Sequence, residues 1–397
     1  MMIPYEHAQQ LIADVLGPLG TEEVLTVDCA GRVLAEEVTA QLDSPPFNKA
    51  AMDGYAVRAD DVRNLPVELD CVGESRAGVW PDFSVGPGQC AGITTGAPVP
   101  DGSDVVIMVE HTERPGNGNT IRIHKLSGRN ICDAGEDVAA GDTVLHPGDW
   151  LTPIRLGVAA ASGRCRLTVY RRPTIALICT GTEVVEPGEP TQPSQIYNSN
   201  GPLLGGLLSP LAEEFRYLGI AGDQEDVIEA TLTQGLKNDL LIVTGGVSVG
   251  PYDLVPGLLE RLGVTKIFSK CAIKPGKPVF FGRRGETTVF GVPGNPFSGF
   301  VTFHALMRDA IARLCGARDM PTVFKTGRVH QSFENHAGRK HFRPCRAWVE
   351  DGAVLLELVP SRGSADITGG SAANALLVVP RDVSHVDAGA SLEYLEV

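Results

Sequence analysis

A basic segment in the second half of the chain is the first candidate for chemistry. Residues 266–284 contain six Lys or Arg and no Asp or Glu, although the whole chain has a formal net charge of −14. Lys270, Lys274 and Lys277 stand four and three residues apart, and the two prolines of the motif KPGKP (274–278) exclude a regular helix through it. A stiff loop that presents ammonium groups indicates a site for a small oxyanion. The alternative is a solvated basic loop without a ligand.

A glycine-rich loop precedes this segment. The stretch VTGGVSVGPYD (243–253) follows an apolar run and contains Gly245, Gly246, Ser248 and Gly250. The backbone N–H groups of such a loop are suited to phosphate oxygens. The stretch matches neither the Walker A pattern nor G-x-G-x-x-G, so a tight turn between a strand and a helix is an equal alternative.

A second loop follows the basic segment and precedes a helical pattern. It reads GVPGNPFSG and contains Pro293, Gly294, Asn295, Pro296 and Ser298. Ser298 either caps the helix or donates to an anion at the positive end of the helix, and capping alone is the favoured interpretation.

Carboxylates also occur in loops that follow the predicted strands of this region. Thr180 and Gly181 form a turn just before Glu183, and Asp223 and Asp253 lie in two later loops. Carboxylate oxygens are the ligands that Mg²⁺ prefers, so the pattern is consistent with a magnesium site. Each carboxylate taken alone is more typical of a solvated acidic loop.

The elements around these loops indicate an α/β domain. From about residue 171, apolar strands alternate with helical patterns, which is typical of a doubly wound domain with a mostly parallel sheet. A helix-like run over 200–219 precedes a short strand at 218–221, and a long helix is predicted over 297–314. Because ligands bind beyond the carboxyl ends of the strands in such sheets, we expect these loops to meet at one edge.

The remainder of the chain is predicted to be β-rich. Residues 20 to about 165 consist of short β segments separated by turns, and alternating patterns from about 324 predict a separate C-terminal β domain. The apolar stripe of residues 8–16 predicts one N-terminal helix.

Composition limits the classes of function. The acidic balance argues against binding to nucleic acid or to a membrane surface, and no apolar stretch approaches the length of about 18 residues needed to span a membrane. The nine cysteines occur singly, without a C-x-x-C pair, which favours reduced thiols in the cytoplasm. The N-terminus lacks the features of a signal peptide, and the histidines show no metal-binding spacing. We therefore expect a soluble cytoplasmic protein.

Eight stretches, taken together and in order, resemble the molybdopterin molybdenumtransferase family, which includes the E domain of gephyrin. They span roughly residues 45–370 and read AAMDGYAVRADD, ITTGAPVPDGSDVV, GEDV, PSQIYNSN, TGGVSVG, KPGKP, GVPGNP and GRKHF. A single one of these motifs is weak, but the ordered set is specific to the family.

This resemblance implies a fold and a reaction. The fold is an elongated multidomain subunit of the α/β plus β class, which forms a homodimer with its active site near the subunit interface. The reaction combines adenylylated molybdopterin with molybdate, assisted by Mg²⁺, to give molybdenum cofactor and AMP. Other cofactor-biosynthesis proteins and apo-molybdoenzymes are implied as further partners.

The resemblance also divides the chain into domains. The implied parts are an N-terminal linking and dimerisation domain (1–44 and 138–170), an inserted β-rich domain (45–137), a molybdopterin-binding α/β domain (171–323) and a C-terminal β domain (324–397). The inserted domain is expected near the active site of the partner subunit.

Individual roles are implied by position in the matched motifs. The catalytic positions are Asp53, Asp137, Glu183, Asp253, Lys270 and Lys274. The substrate-binding positions are Thr95, Thr180, Gly181, Gly245, Gly246, Ser248, Gly250, Lys277, Pro293, Gly294, Asn295, Pro296, Ser298, Arg339 and Ser364. Within these two sets, the candidates for the molybdate pocket are Lys274, Lys277, Ser298, Arg339 and Ser364. Asp223 and Asp253 are the metal candidates.

Three positions depart from the family pattern. Ala50 replaces the usual serine before the first motif aspartate, Cys132 replaces an arginine before GED, and Pro251 replaces an acidic residue after GGVSVG. These changes leave two alternatives open. One is a non-catalytic dimeric scaffold or cofactor carrier, and the other is a different nucleotide- or pterin-processing enzyme on the same fold.

Overall fold

The structure is a computed structural model that describes residues 2–247 and 254–397. It confirms the expected combination of an α/β domain with β-rich regions before and after it in the sequence. Within the described residues, no helix is both long enough and apolar enough to span a membrane. The domain boundaries given above stay predictions.

The N-terminal region is built from two separated stretches of sequence. The predicted helix forms at Tyr5–Val15 and buries Ala8 and Ile12, because its apolar residues recur at helical spacing. Strand Thr21–Leu25 pairs antiparallel with Arg166–Tyr170. The other main elements of this region are Val38–Thr39, Thr143–Leu145 and the helix Pro153–Ala161.

A six-stranded mixed sheet is inserted between these two stretches. Its strands in spatial order are Val105–Met108, Gly54–Val57, Gln89–Ile93, Val67–Ser75, Thr120–Ile123 and Thr112–Glu113. Val57, Leu69 and Ile107 lie in its buried core. Two short strands pair antiparallel with each other: Lys49–Ala50, which precedes the strands of this sheet in the sequence, and Ile131–Cys132, which follows them.

The α/β domain contains a second six-stranded sheet, which positions the candidate loops. Its strands in spatial order are Glu214–Ala221, Thr174–Thr180, Leu240–Thr244, Thr287–Val292, Phe280–Arg284 and Thr265–Phe268. The first four strands are parallel, Phe280–Arg284 runs opposite to them, and Thr265–Phe268 runs in their direction again, which confirms the mostly parallel sheet. Its helices are Asn200–Leu208, Glu225–Gly235, Val255–Arg261, Pro296–Thr302 and Arg308–Leu314, and a π-helical segment at Phe303–Met307 joins the last two.

Helices cover both faces of this sheet. Ile175 and Leu177 of one central strand belong to one apolar cluster, whereas Ala176 and Ile178 of the same strand belong to another. Continuous apolar strands are typical of sheets buried on both sides. The strand order reverses on either side of Thr174–Thr180, which is where a doubly wound sheet opens a ligand crevice.

The prediction of a continuous helical run over 200–219 is wrong. The helix ends at Leu208, and Glu214–Ala221 forms an edge strand that is longer than the predicted strand at 218–221. Pro210 cannot continue a helix, and the following sequence alternates large and polar residues as a strand does.

The C-terminal region forms a small closed barrel. Each strand pairs with the next, and the last pairs with the first, in the order Lys340–Glu350, Ala353–Leu358, Lys325–Val329, Ser391–Glu396 and Ala375–Val379. The short strand Ile273–Lys274 of the α/β domain pairs in parallel with the start of the first barrel strand. The basic motif is therefore attached to the C-terminal barrel by backbone hydrogen bonds.

Candidate functional site

Loops at the carboxyl ends of the parallel strands surround a cavity of about 640 Å³, which we call the strand-end cavity. Ten of the residues singled out from the sequence line it: Thr180, Gly181, Glu183, Asp223, Gly245, Gly246, Pro293, Gly294, Asn295 and Pro296. The structure thus brings together turns that are more than a hundred residues apart in the chain, as the sheet topology requires.

Gly245 shows why this edge needs glycine. Its φ is +89°, and a Cβ atom built there would lie 2.5 Å from the carbonyl oxygen of Thr180. Its N–H donates to the carbonyl oxygen of Val292 at 3.1 Å, so the turn cannot move away without losing a bond to the next strand. A side chain at this position would separate the strand ends that form the cavity floor.

Two carboxylates stand on the rim of the strand-end cavity. Asp223 accepts hydrogen bonds from the backbone N–H and the hydroxyl of Thr182, at 3.0 and 2.8 Å. The Glu183 carboxylate lies close to Gly181, where an added Cβ would be 2.8 Å from it. Glu183 thus belongs to the turn at 181–183, and Asp223, from the loop after the neighbouring strand, is bonded to the same turn. The described residues contain no group of three or more His, Cys, Asp or Glu arranged for a metal ion.

A second cavity of about 650 Å³, the basic cavity, adjoins the first and shares Pro278, Pro293 and Asn295 with it. All five candidates for the molybdate pocket line this cavity: Lys274, Lys277, Ser298, Arg339 and Ser364. These residues come from four separate stretches of sequence, and the fold places them around one space.

Contacts between the α/β domain and the barrel hold the basic cavity in shape. Arg339 donates to the carbonyl oxygen of Ile273 at 3.2 Å, beside the strand pairing described above. The Asn295 side chain donates to the Ser364 hydroxyl at 2.8 Å, and the Phe297 N–H donates to the Ser364 carbonyl oxygen at 3.1 Å. The cavity is therefore an interdomain site.

Ser298 does not cap the helix, so the favoured interpretation of this residue is wrong. The helix begins at Pro296, a residue suited to the first helical position, and Asn295 occupies the N-cap position. Ser298 lies within the first turn and is buried, and its N–H donates to the Asn295 carbonyl oxygen at 3.0 Å. Its side chain faces a cavity lined by cations, which leaves anion binding as the better interpretation.

Sequence reasoning missed two cationic residues and a neutral histidine of the basic cavity. Arg343, Arg362 and His341 line it together with the predicted set. Arg339, His341 and Arg343 stand at every second position of the stretch GRKHFRP, and alternation in a strand places such residues on one face. That period-two pattern was the available signal.

The electrostatics of this cavity are those of crowded positive charge. Burial, followed by the nearby Arg339 and Arg343, lowers the pKa of Lys274. Burial, followed by Lys274 and then the two arginines, lowers the pKa of His341 to about 3, so the ring is neutral at physiological pH. Its Nδ1–H donates to the side-chain oxygen of Asn335 at 2.6 Å. An anion in this space would relieve the mutual repulsion of the cations.

Several predicted residues line neither cavity. Asp53 and Thr95 are paired in the inserted sheet, where an Asp53 oxygen accepts from the Thr95 N–H at 2.6 Å and from its hydroxyl at 2.8 Å. These bonds lower the pKa of Asp53. Asp137 is exposed in the β-rich region, and Lys270 is half-buried with its carbonyl oxygen bonded to the N–H of Ile3.

The departures from the family pattern have different surroundings. Ala50 is buried, and its backbone bonds to Gly96 and Ala97, next to the loop that carries Thr95. A hydrogen bond to Glu136 raises the pKa of the half-buried Cys132. The residues of the glycine loop that were named from the sequence lie partly outside the described residues, namely Ser248, Gly250, Pro251 and Asp253.

Three family models match successive parts of the chain. Residues 3–163 match the MoeA N-terminal region (domain I and II), and residues 176–313 match a probable molybdopterin binding domain. Residues 326–397 match the MoeA C-terminal region (domain IV).

Relatives match over nearly the whole length. Molybdopterin molybdenumtransferase 2 of Mycobacterium tuberculosis is 34% identical over 98% of both chains. The molybdopterin molybdenumtransferase of Haemophilus influenzae is 35% identical over 98% of this chain and 97% of its own. The crystal structure of the molybdopterin biosynthesis MoeA protein from Pyrococcus horikoshii covers 100% of both chains at 29% identity, with a TM-score of 0.84.

Proposed function

The chain belongs to the molybdopterin molybdenumtransferase family, and on that basis we propose that it inserts molybdate into adenylylated molybdopterin, forming molybdenum cofactor and releasing AMP. One observation in this structure supports the proposal. The five residues assigned to molybdate surround a single basic cavity, which shares a wall with a cavity formed by strand-end glycine turns. The cavities proposed to bind the two reactants therefore adjoin each other.

The basic cavity is proposed to bind molybdate, an oxyanion substrate. Lys274, Lys277 and Arg339 supply cationic N–H donors, and Ser298 and Ser364 supply hydroxyl groups. Charge-assisted hydrogen bonds of this kind are roughly twice as strong as neutral ones. Their convergence from two domains would hold the oxyanion in one orientation next to the strand-end cavity.

The strand-end cavity is proposed to bind the molybdopterin part of the other substrate. The turns at Gly181 and Gly245 are closed by hydrogen bonds from their N–H groups to the carbonyl oxygens of Ala221 and Val292, and the helix Asn200–Leu208 starts at the same cavity. Backbone N–H groups and helix N-termini favour phosphate oxygens. Asn200 donates to the Gly294 carbonyl oxygen at 2.7 Å, which fixes the start of the helix against the neighbouring loop.

Mg²⁺ is the proposed cofactor, and the donor set on the rim is suited to it. Mg²⁺ commonly takes one or two carboxylates together with waters and substrate phosphates, and Glu183 and Asp223 supply two carboxylates from neighbouring loops. When bound, the ion would neutralise negative charge on the phosphoanhydride. The protein's own contribution is to hold the two carboxylates where the Thr182 and Gly181 turn places them.

Asp53, Thr95 and Asp137 are proposed to act from the partner subunit of a homodimer, because in their own subunit they line neither cavity. A mixing experiment tests this proposal. Asp53→Ala and Lys274→Ala homodimers should each be inactive, whereas heterodimers formed from the two should regain about a quarter to a half of the activity. Failure of the heterodimer to recover would contradict an active site shared between subunits.

Neither alternative function is favoured. The relatives are named as transferases, and the basic cavity keeps every cation that the family pattern assigns to it. Delivery of the product to apo-molybdoenzymes and a cytoplasmic location stay predictions.

The direct test is to incubate the purified protein with adenylylated molybdopterin, molybdate and Mg²⁺, and to measure AMP and active cofactor. We expect both products to form only when molybdate is present. Tight substrate binding without turnover would support the carrier alternative instead, and equal turnover of unrelated nucleotides would support a different enzyme on this fold.

A further inference from the structure

A third, smaller pocket lies at the junction of the N-terminal region and the α/β domain. Its volume is about 100 Å³. One side is formed by Gly31–Val33, Trp150 and Tyr170, and the other by Leu211 and by the last helix of the α/β domain between Arg308 and Cys315. No function has been assigned to these residues above, and the pocket shares no residue with the two substrate cavities.

The pocket contains three guanidinium groups, of which that of Arg32 is paired with Glu22 and lies 3.8 Å from Glu213. Arg32, Arg172 and Arg308 all line it, and no Asp or Glu occurs among the described residues of its wall. In a chain with a formal net charge of −14, this local excess of positive charge is unexpected for a random surface. The basic cavity likewise has several cationic side chains in its wall, around a larger volume.

Two of these arginines have only neutral partners. Arg172 donates to the carbonyl oxygens of Gly31 and Ala30, at 3.2 and 3.5 Å. Arg308 donates to the carbonyl oxygen of Pro321, and neither arginine is within salt-bridge distance of a carboxylate in the described part of the chain. Both side chains are half-buried, and a charge that loses part of its water without gaining a counter-charge is costly, so such a guanidinium is expected where an anion can pair with it.

Unused hydrogen-bond donors point to the same conclusion. The Nε atoms of Arg32 and of Arg308 are both buried without an acceptor among the described residues. Arg32 is only 8% exposed, although its outer nitrogens reach Glu22 and the carbonyl oxygen of Tyr170. Burial lowers the pKa of Arg308, and the neighbouring Asp309 carboxylate acts in the opposite direction without cancelling the effect of burial.

The remaining wall of the pocket is apolar. Val33, Ile311, Ala312 and Cys315 are all buried there, and Trp150 adds an aromatic ring. An inorganic anion alone would leave this surface without contacts. The volume of about 100 Å³ is smaller than the roughly 150 Å³ that accommodates benzene in an engineered apolar cavity, so a ring of that size would have to fill the pocket closely.

We propose that this pocket binds a small organic anion, namely a carboxylate attached to a compact apolar body about the size of a benzene ring. The carboxylate would pair with Arg308 and Arg172, and the apolar body would pack on Val33 and Ile311. The proposal goes beyond the transferase function and does not rest on it. Arg308 lies twelve residues after Pro296 of the substrate cavities along this helical stretch, a distance of about 18 Å, so the ligand would not compete with substrate.

Benzoate is the probe for this proposal, and Trp150 provides the signal. The chain has three tryptophans, so Trp80→Phe and Trp348→Phe leave Trp150 as the sole reporter. We expect saturable binding of one benzoate per chain by fluorescence and by calorimetry. Neutral benzamide, which keeps the ring, and phosphate, which keeps only a charge, should each bind at least about tenfold more weakly.

Matched variants locate the binding. Arg308→Met keeps the apolar stem and removes the charge, and should weaken benzoate binding at least about tenfold. Arg313→Met, on the same helix but outside the pocket, should leave it unchanged. Should Arg308→Met prove unstable in thermal unfolding, Arg172→Met provides the same test at a more exposed position.

Three results would overturn the proposal: no saturable benzoate binding, equal affinity for benzamide, or unchanged affinity in both pocket variants. Assays of AMP release on the same variants separate this proposal from the transferase function. Arg308→Met should retain turnover, so a loss of benzoate binding with full activity supports the site independently.

Discussion

The two substrate cavities have nearly the same volume and share a wall, but they carry opposite charge. The basic cavity is lined by Lys274, Lys277, Arg339, Arg343 and Arg362, opposed by one glutamate. The strand-end cavity is lined by two carboxylates, and no Lys or Arg occurs among the described residues of its wall. We infer that the first recognises an oxyanion through side-chain cations, whereas the second recognises an anion through the start of the helix Asn200–Leu208 and a bound metal ion.

The difference follows from how each cavity is built. The strand-end cavity belongs chiefly to one sheet, where the sharp turns of Gly181 and Gly245 leave little space for long side chains. The basic cavity spans two domains, and long cationic side chains cross the gap between them. Variants in the two cavities should therefore fail in different ways.

The largest effect is expected in the basic cavity. Lys274→Ala should lower kcat/KM for molybdate roughly 100-fold or more, because a charge-assisted contact worth about 3 kcal/mol is lost. Steady-state kinetics with varied molybdate would measure this loss. Lys266→Ala is the matched control, since Lys266 is exposed and pairs with Glu260 on the protein surface.

Folding must be checked in the same variant. Lys274 is half-buried among other cations, so its removal should not lower the free energy of unfolding. A large loss of stability, with molybdate affinity preserved in the molecules that remain folded, would make Lys274 structural and remove the contrast between the cavities.

The next effect is expected at the glycine turn of the strand-end cavity. Gly245→Ala should lower the free energy of unfolding by about 2 kcal/mol, because alanine is strained at positive φ and its Cβ meets the Thr180 carbonyl. Chemical denaturation measures this change. Gly206→Ala, in the open middle of the helix Asn200–Leu208, should instead be neutral or stabilising.

Binding by Gly245→Ala also tests whether the cavities are independent. Molybdopterin affinity should fall at least about tenfold, whereas molybdate affinity should stay the same because the basic cavity does not contain this turn. An equal loss of both affinities would show that the cavities act as one unit.

The two cavities also differ in how far they could be predicted from sequence. The strand-end loops follow from local patterns, because buried apolar strands ending in glycine turns must place those turns at one edge of a parallel sheet. Gly181, Asp223 and Gly245 were found in this way. The helix end at Leu208 was missed because the apolar run before Pro210 continues into a strand that also contains large residues.

The basic cavity needed more than local pattern. Lys274 and Lys277 were visible as a basic loop, but Arg339 and Ser364 came only from the family resemblance. Their approach depends on the pairing of Ile273–Lys274 with a barrel strand, and a two-residue strand leaves no periodic signal. Long-range pairing of this kind is fixed by the tertiary structure.

A smaller effect is expected at the acidic rim. Asp223→Asn should raise the Mg²⁺ concentration needed for half-maximal AMP release, roughly five- to tenfold, because one anionic ligand is lost while the bonds to Thr182 can be kept. Titration of Mg²⁺ at saturating molybdate measures it. Asp226→Asn, an exposed acid on the following helix, is the control for net charge.

The same titration distinguishes a metal ligand from a structural residue. An unchanged Mg²⁺ requirement in Asp223→Asn would remove this carboxylate from the proposed metal site. The acidic character of the strand-end cavity would then need another explanation.

The smallest effect concerns pH and sharpens the contrast between the cavities. Burial, Arg339 and Arg343 lower the pKa of Lys274, and the protonated amine is the form that binds an oxyanion. Molybdate affinity should therefore fall as pH rises through this lowered pKa.

Arg343→Met removes one of the repelling charges, so the pKa of Lys274 should rise and the fall in affinity should move to higher pH. Calorimetric titrations of molybdate across the alkaline range would measure the shift, with Arg328→Met, an exposed barrel arginine, as the control. Molybdopterin affinity should not fall over the same pH range, because the described wall of the strand-end cavity contains no lysine. If Arg343→Met leaves the pH of this fall in affinity unchanged, the charge of Arg343 does not influence the protonation of Lys274.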